Sequence, residues 1–574
     1  MPSLQTVRVK GHVYYRLVTS KRIAGKPTPV QIAWLGKAAD ILRRLDAADE
    51  AQVKSWSHGA VAALHSLAGE LKVADLIDRH LKEVGRRVSS SDGAKSARPP
   101  RKNDGLTVGQ SLVLVAIARA CHAKSKRAFA KWADTTTLGQ LAGVDTRKLT
   151  SQHFWDEMDQ LPIEVIELIE RDMVVDVVKR FGLDLNTLLF DATNFFTFIA
   201  SNNGRCDIPA RGKQKQKRSD LRQVGVAMLC SREHGIPLWH RTYKGNMADA
   251  TCFAEVLSSV RQRAIDLHGK LESLTIVYDK GNVSKANQKQ VDKMKLHYVS
   301  ALTVASQRRL VDEANARFDS IEIDEETVPV YRTKKEIWGA ERTVVVLCSE
   351  RLRQGQIAGV MQHVTKAEKW LSDLAGVLRR GKQRRDRGRI ERDIETFLKG
   401  RQNLSTVISF TLTGQDPNLI LTHRFDQEAL NLLADSTFGR IVLMTDRHEW
   451  STEDIIRTYR AQAAVEALFA HLKDPEHLAI RPQYHWTDQK IHVHVFTCVL
   501  GYMLASLLHL RARRANAPHA SLEGLLDALA QVRRTMVVRR STITGGKRSE
   551  RISYQLEEID PELAPLLPTL GVSG

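Results

Sequence analysis

Apolar and polar positions alternate at the start of the chain, in VRVKGHVYYRLV and VQIAWLG on either side of a turn at Ala24-Gly25-Lys26-Pro27. That period of two predicts strands, and residues 1–57 read as a small basic β-hairpin unit. Over 58–87 the period lengthens, with Leu64, Leu67, Leu71, Ala74 and Leu76 at mixed three- and four-residue steps, which predicts a helical segment. Residues 88–104, VSSSDGAKSARPPRKND, hold too few apolar side chains to pack and read as a flexible linker. Residues 105–180 read as a run of helices. Over 181–302 the period changes again. LNTLLFDATNFF, RQVGVAMLC and IPLWHRTYKG are three strands, ADATCFAEVLSSVRQRAIDLHG a helix, LTIVYD a strand, VSKANQKQVDKMK a helix and HYVSAL a strand.

Three strands followed by helix, strand, helix, strand is the order of a ribonuclease-H-like α/β core. Residues 303–438 interrupt it with strand-like runs (VPVYRT, RTVVVLC, TVISFTL, NLILTHRF) and long polar helices, read as an inserted β-rich and helical subdomain. Residues 439–515 return to the core through GRIVLMTD and a helix over Ser451–Leu472, and 516–574 form a C-terminal helical tail. The fold class is therefore α/β: a ribonuclease-H-like core with an insertion, preceded by a β-hairpin unit and a helical region.

Charge narrows the partner. The chain of 574 residues carries a formal net charge of +20 with 43% hydrophobic residues, enough to build cores, so the excess of cations speaks of a polyanion, nucleic acid first. No amphipathic basic helix with aromatic residues opposite its charge suggests a membrane surface. The six cysteines lie far apart with no C-x-x-C pair, as in a reducing compartment. MPSLQTVRVKGHVYY has no apolar signal core, and VFTCVLGYMLASLL is short for a bilayer span. The expectation is a soluble, cytoplasmic protein.

Three carboxylates stand where metal-dependent phosphodiester chemistry needs them. Asp191 follows LLF, Asp279 follows IVY, and Glu466 lies in the helical YRAQAAVEALFAHLK. Carboxylates at the ends of buried strands are placed as ligands, and hard oxygen donors select Mg²⁺ or Mn²⁺, two ions for in-line displacement. Gly281 in the following Lys280-Gly281-Asn282 lets the backbone approach a phosphate. Tyr459, Gln462, Glu466 and Lys473, at steps of three, four and seven, share one face of a continuous helix. Asp446, Glu449 and Glu453 compete for the third position, and the company of Glu466 decides for it, with Asp446 as a supporting carboxylate. Each aspartate taken singly is an ordinary strand-end residue; the set carries the reading. Two basic stretches flank it: Arg205, Arg211, Lys213, Lys215, Lys217, Arg218 and Arg222 between the first two core strands, and VLRRGKQRRDRGRIERD, with Arg384 and Arg385, in the insertion. Backbone phosphates suit both. His492, His494 and Cys498 do not converge on one helical face and read as core or capping residues rather than zinc ligands.

With LLFDATNFF, DLRQVGVAMLCSREHGIPLWHRTYKGNMADATCF, IVYDKGNVSKAN and TEDIIRTYRAQAAVEALFAHLK together, residues 105–515 resemble a DDE transposase of bacterial insertion sequences. The resemblance is to the class marked by Tyr-x-x-Arg-x-x-x-Glu and a Lys after six more residues, in its longer members with a β-rich N-terminal unit. It implies a Mg²⁺- or Mn²⁺-dependent enzyme with Asp191, Asp279 and Glu466 as catalytic ligands of two ions. It also implies double-stranded DNA as partner, both the terminal inverted repeats of an element and target DNA, and a homodimer in the synaptic complex. DNA contacts are expected from Tyr459, Gln462, Lys473, Lys213, Lys215, Lys217, Arg218, Arg222, Arg384 and Arg385, with Trp338 stacking on a base. One position departs from the pattern: Gln462 stands where the class has Arg, and Arg460 lies about 200° away around an ideal helix. That leaves open a transposase-derived DNA-binding protein without full activity. A ribonuclease-H-like nuclease that cuts without joining is the other alternative, and it does not account for the long N-terminal region.

Overall fold

A computed structural model of the chain describes residues 2–23, 26–46, 51–91, 103–200, 202–212, 218, 220–268, 273–380, 386–401, 403–415, 418–481, 483–516, 521–542 and 548–573. Lys213, Lys215, Lys217, Arg384 and Arg385 lie outside the described residues, as does most of the segment read as a linker. The chain forms two compact units: Met1–Val165 with Asp474–Pro482 and Val493–Gly574, and Ile166–Lys473 with Gln483–His492.

The first unit holds two small sheets and a helical core. Ser3–Val9, His12–Ile23 and Lys26–Gly36 form an antiparallel meander. Its first turn, Lys10-Gly11, has positive φ at both residues, the hairpin geometry that matches strand twist. Ala51–Ser57 does not join this meander. It pairs with Arg533–Thr542, which pairs in turn with Arg548–Leu556. The expected boundary at residue 57 therefore cuts across a sheet, and the C-terminal segment is one helix, Leu522–Gln531, followed by two strands rather than a helical tail. Helix Val73–Ser91 likewise runs into the expected linker. Helix Val108–Cys121 starts at a reciprocal capping box between Thr107 and Gln110, which satisfies two backbone donors at its first turn. A Cβ on Gly501 would stand 2.5 Å from the Ala116 carbonyl oxygen, so glycine is what lets helices Val108–Cys121 and Asp488–Arg514 approach so closely. Asp488–Arg514 is long and apolar enough to cross a membrane, yet 94% of its apolar window is buried within the protein, as in a core helix.

The second unit is built on one sheet of nine strands: β1 (Thr187–Thr197), β2 (Arg222–Ser231), β3 (Pro237–Lys244), β4 (Thr275–Tyr278), β5 (His297–Leu302), β6 (Asp319–Ile323), β7 (Glu326–Ile337), β8 (Ala340–Cys348) and β9 (Arg440–Thr445). Their order is β6-β7-β8-β9-β5-β4-β1-β2-β3. β1, β2 and β3 are an antiparallel meander, while β4 and β5 run parallel to β1 through crossover helices Asp249–His268 and Lys285–Lys293. The apolar runs LLF and TIVY are continuous because their strands are central and covered on both faces; Leu189, Phe190 and Val277 have no exposure.

The insertion is smaller than its sequence pattern suggests. VPVYRT and RTVVVLC, assigned to it above, are β7 and β8 of the main sheet, and Val344, Val345 and Val346 are wholly buried there. After β8, the elements outside the sheet are Glu350–Arg379, Arg387–Lys399, Leu404–Val407, a hairpin of Ile408–Thr413 with Ile420–Phe425, and Gln427–Ser436. These pack around their own core of Val364, Leu371, Ile394, Leu404, Leu412 and Phe438.

A buried ionic cluster ties two helices to the edge of the sheet. His240 Nδ1 of β3 lies 2.6 Å from Glu170 Oε1 of helix Ile163–Phe181, and Arg263 Nη2 lies 3.7 Å from Glu170 Oε2. Arg263 also donates to the carbonyls of Leu238 at 2.9 Å and Glu167 at 3.2 Å. Burial alone would raise the Glu170 carboxyl, but His240 and Arg263 outweigh burial and hold it below the ordinary carboxylate value. A carboxyl depressed in the folded state stabilises above its unfolded pKa of about 4.3 and loses that contribution as pH falls through the folded value. Glu170→Gln is expected to destabilise this unit by about 3–5 kcal/mol at neutral pH, because the buried Arg263 guanidinium loses its counter-charge. Denaturant unfolding should show the gap to the unsubstituted protein narrowing below about pH 4; a gap independent of pH would contradict the ionic account.

Candidate active site

β1 and β4 run in parallel with Phe190 opposite Tyr278, so the residue after each pair emerges at the same edge of the sheet. Those residues are Asp191 and Asp279. Asp191 is held by its own backbone, the Ala192 N–H donating to Oδ1 at 2.8 Å. Asp279 precedes a single helical turn, Lys280–Asn282, without a side-chain capping bond, and its Oδ1 accepts the Tyr459 hydroxyl at 3.2 Å. Burial pushes the Asp191 carboxyl up to about 7 despite the Ala192 bond, and Asp279, Asp249 and Glu466 push it further in the same direction. Tyr459 is raised above the ordinary phenol value by burial first, then by Asp279, with Glu466 and Asp191 adding to it. Four carboxylates therefore share one electrostatic neighbourhood.

Asp249 is the member that the sequence reading passed over. It opens helix Asp249–His268, a position where an acid ordinarily serves the helix dipole. Its Oδ2 lies 3.7 Å from where a Cβ on Gly281 would stand, which places it over the loop that follows Asp279.

The expected helix Ser451–Leu472 is two helices, Thr452–Arg460 and Ala463–Lys473, with a turn at Ala461-Gln462. Each of the residues expected on its inner face nevertheless meets the β1–β4 edge or stands near it. Tyr459 reaches Asp279. Lys473 Nζ donates to Thr193 Oγ1 at 2.6 Å and lies 5.7 Å over the Phe195 ring, both on β1. Gln462 is only 6% exposed and donates Nε2 to the Phe190 carbonyl at 3.1 Å, one residue before Asp191. Its Oε1 is buried without a partner. Gln462 thus bonds inside the protein instead of facing outward to a phosphate. Glu466 is exposed. Arg460 pairs with Glu326 at 2.9 Å and Arg457 with Asp324 at 3.0 Å.

Other expected residues lie elsewhere. Asp446 follows β9, which is antiparallel to β5, so it emerges at the opposite edge of the sheet, where it binds His297 Nδ1 at 2.8 Å and the Tyr298 N–H at 3.1 Å. It does not support the trio. Trp338 sits with Gly339 at the tip of the β7–β8 hairpin at φ +58°, a strained conformation for a bulky residue. Arg218 pairs with Asp220 at 2.7 Å, and Arg222 donates to the Asn203 carbonyl at 3.2 Å. His494 Nε2 lies 2.7 Å from the Ile480 carbonyl.

The donor set of Asp191, Asp279 and Glu466 is all carboxylate oxygen, the chemistry that suits a hard divalent cation, and the crowding of negative charge at Asp191 calls for a counter-cation. Among the described residues, no group of three or more His, Cys, Asp or Glu is gathered closely enough to hold a metal ion. The fit is therefore of chemistry and neighbourhood, with Glu466 at the exposed rim.

Comparison with known proteins bears on the same segment. None of the curated proteins matches the chain. Among solved structures, the piggyBac transposase synaptic complex with hairpin DNA aligns over 81% of this chain and 78% of its own, at 10% identity and a TM-score of 0.36. The Mos1 transposase paired-end complex with the left transposon end aligns over 37% of this chain and 64% of its own, at 10% identity and a TM-score of 0.15. The family model of the transposase DDE domain matches residues 186–504, from the start of β1 through the Glu466 helix and into the long apolar helix, and the chain belongs to that family.

Proposed function

We propose that the protein is a transposase that binds the terminal inverted repeats of its element and carries out metal-dependent cleavage and strand transfer with Asp191, Asp279 and Glu466. The observation that supports this reading is the emergence of Asp191 and Asp279 side by side at one edge of the sheet, with Tyr459 bonded to Asp279 and Lys473 to Thr193. The ions implied are two Mg²⁺ or Mn²⁺, which supply Lewis-acid activation of an oxygen nucleophile and neutralisation of charge on the leaving oxygen. Asp191 and Asp279 would hold the ions, with Glu466 as the third carboxylate. The Tyr459 hydroxyl fixes the Asp279 carboxylate. Lys473, beside Thr193, offers a cation for a phosphate passing along β1. The displacement runs in line, first with water and then with a 3′-hydroxyl as nucleophile, so no side chain becomes covalently attached to DNA. The basic loop before β2 would hold DNA around the cut. A homodimer is the assembly that this chemistry needs, since two element ends must be joined to one target.

The test uses duplex DNA bearing the inverted repeats that bound the reading frame. Asp191→Ala should abolish Mg²⁺-dependent cleavage, a loss of at least about a thousandfold for a ligand of the reacting metal, and leave duplex affinity within about threefold. Cleavage at the original rate removes Asp191 from the site. Cleavage by the unsubstituted protein without strand-transfer product favours a nuclease.

Gln462 supports this reading as a positioning residue for the strand that carries Asp191. Gln462→Met keeps the length of the side chain and removes the donor to the Phe190 carbonyl. Single-turnover cleavage should fall about tenfold to a hundredfold, as expected when a reacting group shifts by a fraction of an ångström to an ångström. Duplex affinity and its salt dependence should not change. A weaker, less salt-dependent affinity at an unchanged rate would instead make Gln462 a phosphate contact.

A further inference from the structure

The segment that follows the Glu466 helix in the second unit carries a feature that the chemistry at the carboxylates does not use. Residues 483–486 run without regular structure, and their burial alternates. Gln483 and His485 are 0% and 5% exposed, while Tyr484 and Trp486 are 53% and 51% exposed. The alternation leaves both rings on the exposed side of the segment. A third ring joins them. Phe198, the residue after β1, is 47% exposed and lies 5.7 Å from Tyr484, centroid to centroid.

These rings stand on a fixed base. The Phe198 N–H donates to the Gln483 carbonyl at 3.0 Å, and Asn203 Nδ2 donates to the Trp486 carbonyl at 3.1 Å. The Asp488 carboxylate accepts the N–H groups of Asp207 and Ile208 at 3.0–3.1 Å. Beneath lies a small apolar cluster of Cys206, Val224 and Ile491, with Ile199 and Ile208 against it. Half-exposed rings at that density are costly to leave in water. The surrounding loop is basic: Arg205 and Arg211 are exposed in it. Aromatic faces among arginines suit a polyanion whose monomers carry flat rings, because stacking on bases and contacts with phosphates then act together. β1 leads from Asp191 to Phe198 over seven residues, roughly 23 Å at the rise of a strand, a span of a few nucleotides.

We propose that Phe198, Tyr484 and Trp486 form a stacking platform for unpaired bases of a DNA strand leading to or from the carboxylate edge. The proposal rests on the DNA-processing reading above, and it names the state of the DNA that this surface takes: single-stranded rather than duplex. Trp338, on the β7–β8 hairpin, belongs to a different part of the sheet.

The test uses the full chain without divalent metal, a fluorescein-labelled dT20 oligonucleotide and a 20-base-pair duplex, read by anisotropy. Tyr484→Ala and Trp486→Ala should each weaken oligonucleotide binding by ~5- to 150-fold, the range for loss of one base–aromatic stack. Duplex binding should change by less than about threefold. Trp486→Phe, which keeps a ring, should retain most of the oligonucleotide affinity, and unchanged thermal melting will separate lost stacking from lost fold. The proposal is overturned by equal losses on oligonucleotide and duplex, by no loss on either, or by a Phe variant as weak as the Ala variant. It is also overturned if the Ala variants change only the sedimenting mass, since the patch is then a contact between copies of this chain. Duplex binding and Asp191-dependent cleavage that survive such an outcome leave the transposase reading standing. Absence of binding to either nucleic acid brings down both.

Discussion

The parallel pairing of β1 with β4 is the constraint on which the site depends. It sets Phe190 against Tyr278 and so delivers Asp191 and Asp279 together. In an antiparallel pair the ends of the two strands would emerge at opposite edges, as Asp446 does after β9. Parallel pairing demands a crossover, here helix Asp249–His268, and the start of that crossover brings Asp249 to the same edge. The connection that makes the aspartates neighbours therefore also introduces a fourth negative charge. Burial of Asp191 amid these charges raises its proton affinity, so a proton or a cation relieves the crowding.

Against that edge the chain applies a bent helical segment. The turn at Ala461-Gln462 lets two short helices approach the strands at different points: Tyr459 at Asp279, Gln462 at the Phe190 carbonyl, Lys473 at Thr193. β4 stops at Tyr278, and the Phe190 carbonyl opposite it accepts the Gln462 amide. An arginine here would have five donors and a charge to accommodate; a glutamine, neutral and shorter, suits a buried bond to a carbonyl. The departure from the family signature thus has a local structural meaning.

Much of this organisation was legible from periodicity, and the failures have physical causes. The runs LLF, IVY and HYVSAL are strands because continuous apolar stretches bounded by polar turns fit central strands. RTVVVLC is such a run as well, but a pattern does not say which sheet a strand joins, so β7 and β8 were assigned to the insertion. The break at Gln462 was invisible because Tyr459, Gln462, Glu466 and Lys473 keep helical spacing across it. Ala51–Ser57 pairs with Arg533–Thr542, a contact too distant in sequence for local pattern to reveal. Asp249 resembled an ordinary first-turn acid. For Tyr484 and Trp486 a signal existed, the alternation within QYHW, in a segment too short to be read as a strand.

Under the proposed function, the same contacts constrain how DNA is gripped. Of the cations on the bent segment, Arg457 is engaged with Asp324 and Glu453, and Arg460 with Glu326. Gln462 contributes no charge, and Lys473 is the cation that the segment brings to β1. A helix so neutralised cannot by itself overcome the repulsion between a phosphate backbone and four carboxylates, since like charges at close range in a partly buried site cost several kcal/mol. The net charge of +20 must therefore act from outside this helix, through loops such as the one before β2. Charge of that kind attracts any phosphate and carries no orientation. Rigid aromatic faces supply what diffuse charge lacks, since a ring fixes the plane of a base and with it the path of the strand. Under the proposed function, the absence of charge at Gln462 and the exposure of Phe198, Tyr484 and Trp486 answer to the same requirement: attraction from the surroundings, alignment from surfaces that do not depend on charge.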